Sequence, residues 1–175
     1  MGYSTDFNGS FELSRPATEK EQNYINGFSG SRRMGRDVHT LAGLYKGKHG
    51  HPTPEDNTPE AIYGVQGEYF AFDDGEFGQS KDDSILDYNR PPSTQPGLWC
   101  QWVLDSPDEL TWDGDEKFYE YVAWLQYLIK NFFEVWKIKL NGEVTWNGDD
   151  PSDIGKIIVK DNVVAVKEGK IVFDD

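Results

Sequence analysis

The 175-residue chain holds a single cysteine, Cys100, so it can form no disulfide within itself and needs no oxidising compartment. Basic residues are few: 17 Lys and Arg stand against 31 Asp and Glu, a formal net charge of −14. Nucleic-acid binding needs clustered cations that displace counterions from phosphate, and an anionic membrane surface also attracts cations. Neither is expected as a partner. No apolar run approaches the ~18 residues that would mark a membrane span. The opening MGYSTDFNGSFELS lacks a basic start followed by an apolar stretch, so no leader is expected and the location reads as cytoplasmic. Walker, Rossmann and G-x-S-x-G patterns are missing, as is the twelve-residue calcium-loop spacing. No cofactor, metal site or catalytic residue is therefore predicted, and the chain leans away from being an enzyme.

Aromatic residues are abundant. Ten Phe, nine Tyr and six Trp offset a hydrophobic fraction of only 37%. Each can bury ~150–250 Å², so a core is attainable, and a disordered chain would be poor in such residues. The length fits one domain over 1–175. Phe7, Phe11 and Leu13 alternate across residues 5–13, the period of a half-buried strand. Thr18 and Glu21 form a capping box that predicts a helix from Glu19. Residues 35–64, with their Gly, Pro and all three histidines, read as a long loop.

Strands are predicted at 65–72 and, between Pro96-Gly97 and Ser106-Pro107, at Leu98–Leu104. The strongest periodic signal lies at about 114–136. There Phe118, Val122, Leu125, Ile129, Phe132 and Trp136 recur at helical spacing, behind an Asp113/Glu116 start. Ile138 to Trp146 alternates again. Ile154–Val159 and Val163–Val166 flank Asp161-Asn162 as a hairpin, with a further short strand at 170–173. The order predicts an α+β fold: an antiparallel sheet with two helices on one face (βαββαβ, ferredoxin-like order) plus a C-terminal β-hairpin.

The acid is concentrated in the middle, with residues 55–95 carrying 2 basic against 10 acidic side chains, net −8. The plain reading is a solvated surface that keeps the protein soluble; the sharper one is a face aimed at a basic partner. Asp73, Asp74, Glu76, Asp82 and Asp83 are its candidate residues, together with Trp99 and Trp102. Three apart on one strand, the two tryptophans would face opposite sides, leaving one for an interaction surface. Arg32, Arg33 and Arg36 form the main basic cluster. They could hold a phosphate or carboxylate in bidentate fashion, or pair with the acidic middle of the same chain. His49 and His51 could offer imidazoles to a metal but lack a full tetrahedral set, and Cys100 in an apolar strand reads as packing.

The strings QPGLWCQWVL (95–104), TWDGDEKFYEYVAWLQYLI (111–129) and LNGEVTWNGDD…DIGKIIVKDNVV (140–164) resemble a family of small phage and bacterial proteins, as do MGYSTDFNGSFELSRP and SRRMGRD. The resemblance carries no chemistry and no site residue; it implies a phage origin and an intracellular life. Two functions follow as expectations. The first is a binding protein, a phage accessory or host-modulating factor, acting through an acidic, aromatic-bearing surface on a basic protein. The second is a small-ligand or nucleotide-binding domain with an Arg-lined anion site.

Overall fold

Alternation of Phe7, Gly9 and Phe11 with Asn8, Ser10 and Glu12 produces the strand expected at residues 5–13. In the computed structural model, which describes residues 2–72 and 74–175, that strand is β1 (Thr5–Leu13). It is followed by α1 (Glu19–Ser29), β2 (Gly35–Arg36), α2 (Val38–Tyr45), α3 (Pro59–Tyr63), β3 (Ile85–Asp87), β4 (Trp102–Ser106) and β5 (Glu109–Trp112). Then come α4 (Tyr121–Leu128), β6 (Leu140–Gly148), β7 (Ile154–Lys160) and β8 (Val163–Glu168). The chain divides into two compact units, Met1–Thr18 with Gln101–Asp175, and Glu19–Cys100. The second is thus an insertion between β1 and β4 of the first.

The sheet unit is a six-stranded sheet of order β4-β5-β1-β6-β7-β8 in which every neighbouring pair is antiparallel. The mixed α+β class holds, but the element order is not βαββαβ: β1 sits inside the sheet, between β5 and β6, and the helices that answer to the two predicted ones, α1 and α4, belong to different units. One face is apolar, with Phe11, Trp102, Leu104, Leu110, Val144 and Ile157 buried, while Asn8, Glu12, Glu109, Glu143 and Thr145 lie exposed on the other. The start of α4 covers the apolar face: the Tyr121 ring meets Phe7 at 4.8 Å and Trp146 at 5.8 Å.

Two glycines ease the close side-by-side pairing of β1 and β6. Gly9 has φ +111°, and a Cβ there would lie 2.5 Å from the Glu143 carbonyl oxygen; Gly142 has φ +146° and a similar clash with Ser10. Gly9→Ala is expected to cost about 1–3 kcal/mol, because backbone on both sides of the clash must shift. Thermal unfolding followed by circular dichroism checks this; an unchanged midpoint would mean that the strand pair relaxes freely.

The helix expected at 114–136 is shorter and differently built. Lys117 and Glu120 have φ of 63° and 55°, which no helix interior tolerates, so α4 starts at Tyr121. Asp113 closes a local turn instead of capping the helix, its Oδ1 accepting from the Asp115 N–H at 2.8 Å. Beyond Leu128 the chain widens into a π-helical turn, Ile129–Phe133, where the Glu134 N–H bonds the Ile129 carbonyl. The extra residue in that turn lets Phe132 and Phe133 both enter the core. The hairpin at Asp161-Asn162 forms as predicted; residues 170–173 do not form a strand.

Within the inserted unit, the predicted 35–64 loop contains β2, α2 and α3. Asp37 caps α2, its Oδ1 accepting from the Thr40 N–H at 2.9 Å, and Thr58 caps α3 with Pro59 in its first turn. Leu41, Tyr63 and Phe70 form the core of this unit, with Val38, Tyr45 and Phe72 packed around it. The strand expected at 65–72 is absent because Gly64, Gln66 and Gly67 all take positive φ, which makes a tight turn of Val65–Gly67. Among the described residues, no helix is long and apolar enough to cross a membrane.

Candidate functional site

The basic cluster and the acidic loop meet inside the inserted unit. Arg36 is 3% exposed; its Nη1 donates to Asp82 Oδ2 at 3.1 Å and to Ser84 Oγ at 2.9 Å, and its guanidinium lies 4.5 Å from the centre of the Phe70 ring. Tyr45 donates its hydroxyl to the same Asp82 oxygen at 2.7 Å, while the other oxygen accepts from the N–H and hydroxyl of Ser84. Burial would raise the Asp82 carboxyl, but the bonds from Ser84 and Tyr45 and the charge of Arg36 outweigh it and hold the group below the usual carboxylate range. Burial first, then Asp82, pushes the Tyr45 hydroxyl up to about 12. At neutral pH the one is fixed as donor and the other as acceptor, which makes the group a clamp and not an acid–base pair.

The neighbouring arginines are engaged in the same way. Arg33, 2% exposed, donates from Nη2 to the Glu68 carbonyl at 2.8 Å and stacks 4.0 Å over Phe28. Arg32 donates from Nε to the Tyr88 carbonyl at 3.0 Å and from Nη2 to Asn89 Oδ1 at 3.2 Å, with its guanidinium 4.5 Å over the Tyr88 ring. Pairing with the acidic middle of the chain is seen for Arg36 with Asp82, while Arg32 and Arg33 bond backbone carbonyls and an amide oxygen of the same unit.

These contacts stake down residues 74–89. The Arg32 N–H also bonds the Phe77 carbonyl at 2.9 Å. Tyr88 donates its hydroxyl to Gln79 Oε1 at 3.0 Å. Asp74 gathers the N–H groups of Glu76, Gly78 and Ser80 at 2.8, 3.1 and 3.4 Å. Burial would raise Asp74, yet these bonds together hold it below the usual range. At the tip sits Phe77, in left-handed backbone (φ 57°) and 68% exposed. A large apolar ring held in water by a braced loop, between exposed Glu76 and Asp83, is the feature that most calls for a partner.

No family model, curated protein or solved structure matches the chain. Its chemistry must therefore be read from its own residues.

Of the residues expected on an interaction surface, Glu76 and Asp83 are exposed, Asp74 and Asp82 are partly buried in the contacts above, and Asp73 lies outside the described residues. Trp102 is corrected: it is 0% exposed, and its indole N–H donates to the Tyr121 carbonyl at 2.8 Å. Trp99 is half-buried and precedes β4, so the two tryptophans do not share a strand. The reason is local: β4 begins only at Trp102, leaving Leu98 to Gln101 irregular. Cys100 is buried, as expected of a packing residue.

The histidines are dispersed. His39 faces Glu60 at 2.9 Å on the surface, His49 packs against Phe72 at 4.2 Å between ring centres, and His51 Nδ1 accepts from the Thr53 N–H at 3.1 Å. Among the described residues, no three ligating side chains gather as a metal site would require. Phe77 was missed by sequence reasoning. Its signal was present: an aromatic between Gly75 and Gly78 in an acidic stretch has no periodic partner with which to enter a core.

Proposed function

We propose that the protein acts by binding a basic protein partner through the acidic surface of residues 74–87, with Phe77 as the apolar anchor. The observation that carries this reading is the exposed Phe77 ring on a loop fixed by Asp74 and Arg32. A pre-ordered loop loses little conformational entropy on association, and an aromatic seated in a partner's pocket is the usual centre of an interface. The −8 of residues 55–95 would speed encounter with a positive surface and would weaken with salt. On the resemblance to phage and bacterial proteins, the partner to look for is one of a bacterial cell. The anion-site reading gains no support from Arg32, Arg33 and Arg36, whose donors are directed at groups of their own chain.

A photo-crosslinking residue at position 77, compared with one at exposed Tyr119, identifies the partner in a bacterial lysate. With that partner purified, Phe77→Ala is expected to weaken binding about ten-fold or more. Its own unfolding should move by no more than about 0.5 kcal/mol, as for other exposed sites. Affinity should fall as salt rises from 50 to 500 mM. Binding indifferent to both the substitution and the salt would remove the proposal.

A further inference from the structure

The strand β8 closes one side of the six-stranded sheet and, among the described residues, pairs only with β7, so its outer edge is open there. The edge is apolar to a degree that edge strands normally avoid. Val163 and Val166 are exposed, and the residues that follow continue the pattern, Val172 being 77% and Phe173 88% exposed. Lys170–Phe173 (KIVF) has the composition of a strand and, among the described residues, no strand partner.

The backbone fixes which groups point outward. The β7–β8 turn has two central residues, Asp161 and Asn162, with φ of 47° and 70°, so Lys160 and Val163 form its closing hydrogen-bonded pair. Hydrogen-bonded pairs then alternate along the ladder, and the Gly169 N–H bonding the Ile154 carbonyl at 2.8 Å keeps the same phase. Val163, Ala165, Lys167 and Gly169 thus bond inward. Val164, Val166 and Glu168 turn their N–H and C=O groups to the open edge.

We propose that β8, extended through Phe173, pairs antiparallel with the same segment of a second copy of this chain, about a two-fold axis at Gly169. Open-edge residues must oppose open-edge residues, which places the axis on a residue. An axis at Lys167, Glu168 or Lys170 sets like charges against each other. An axis at Val166 or Ala165 sets residues 170–173 against the Asp161-Asn162 turn or beyond it, where no open strand edge faces them.

At Gly169 the charges complement: Glu168 faces Lys170 of the other copy, and by symmetry Lys170 faces its Glu168. Val166 meets Val172 on the face that continues the core, and Ala165 meets Phe173 on the opposite face. The closest crossing, where non-hydrogen-bonded Cα atoms come within ~4.5 Å, falls on the residue without a side chain. The result is a single sheet running through both copies.

Sedimentation equilibrium of the full chain up to about 100 µM tests this; a high concentration suits an interface at the small end of the range. The expected mass is twice that of one chain. Val166→Pro removes an N–H that serves no bond within the chain, so it should abolish the dimer while the β-sheet circular dichroism persists. Should that variant fail to fold, the charge pair decides. Glu168→Lys should weaken dimerisation about ten-fold, because the axis repeats the altered pair, and Glu168→Lys with Lys170→Glu should restore it. A native chain that stays monomeric throughout, or a dimer unmoved by Glu168→Lys, would overturn the proposal.

Discussion

Trp102→Ala is expected to destabilise the sheet unit by about 3–5 kcal/mol, the range for removing a large aromatic from a packed core. Trp102 is wholly buried where β4 meets the approach to α4, with Phe118, Phe7 and Phe11 edge-on at 5.4, 5.6 and 5.7 Å. Alanine would open a cavity bounded by two rings of β1, Phe7 and Phe11, and by Phe118 on the approach to α4, which are held by separate segments and cannot close on it together. Trp102→Phe keeps most of the packing but strips the Tyr121 carbonyl of its indole donor, an expected cost of about 1–3 kcal/mol. Urea unfolding followed by far-ultraviolet circular dichroism distinguishes the two. Equal and small losses would mean that Trp102 is not the keystone of this cluster.

Asp82→Ala should cost the inserted unit about 3 kcal/mol or more, because it leaves the Arg36 guanidinium buried without its carboxylate. Adding Arg36→Met to that variant should recover part of the loss, since methionine keeps some of the apolar contact with Phe70 and carries no charge to strand. The pH dependence has a definite sign. The Asp82 carboxyl is held below its ordinary value of 3.8, so its contribution is fully present above that value and is lost as pH falls through the folded one. Between pH 5 and pH 2 the wild-type protein should therefore lose stability more steeply than Asp82→Ala. Parallel curves in denaturant titrations across that window would count against the clamp.

Much of the sheet unit was legible in the sequence. Alternation at Phe7 to Leu13 and at Leu140 to Trp146 reports one buried face, and the Asp161-Asn162 turn fixes its hairpin locally. The helix was legible as a face but not in its limits, because Lys117, Glu120 and the π-helical turn depend on tertiary packing that overrides propensity. Sheet order was not legible: that β1 pairs with both β5 and β6 depends on contacts more than 90 residues apart, for which no local pattern exists. The arginine cluster was visible, but Arg33 and Arg32 bond the backbone carbonyls of Glu68 and Tyr88, which every residue possesses and no sequence marks. Phe77 escaped notice because a single exposed aromatic in an acidic loop belongs to no helical or strand period.

The placement of β1 also sets a timetable for biosynthesis. Its partner Leu140–Gly148 is translated about 130 residues later, a delay on the order of ten seconds at ~5–20 residues per second. When residues 19–100 are completed they have all their own core residues, whereas β1 still waits for both of its neighbours, β5 and β6. The inserted unit can therefore mature on the ribosome first, with Phe7 and Phe11 waiting in a tethered, unpaired segment. Substitutions that make residues 5–13 stickier would be felt in the yield of protein before they were felt in its final stability.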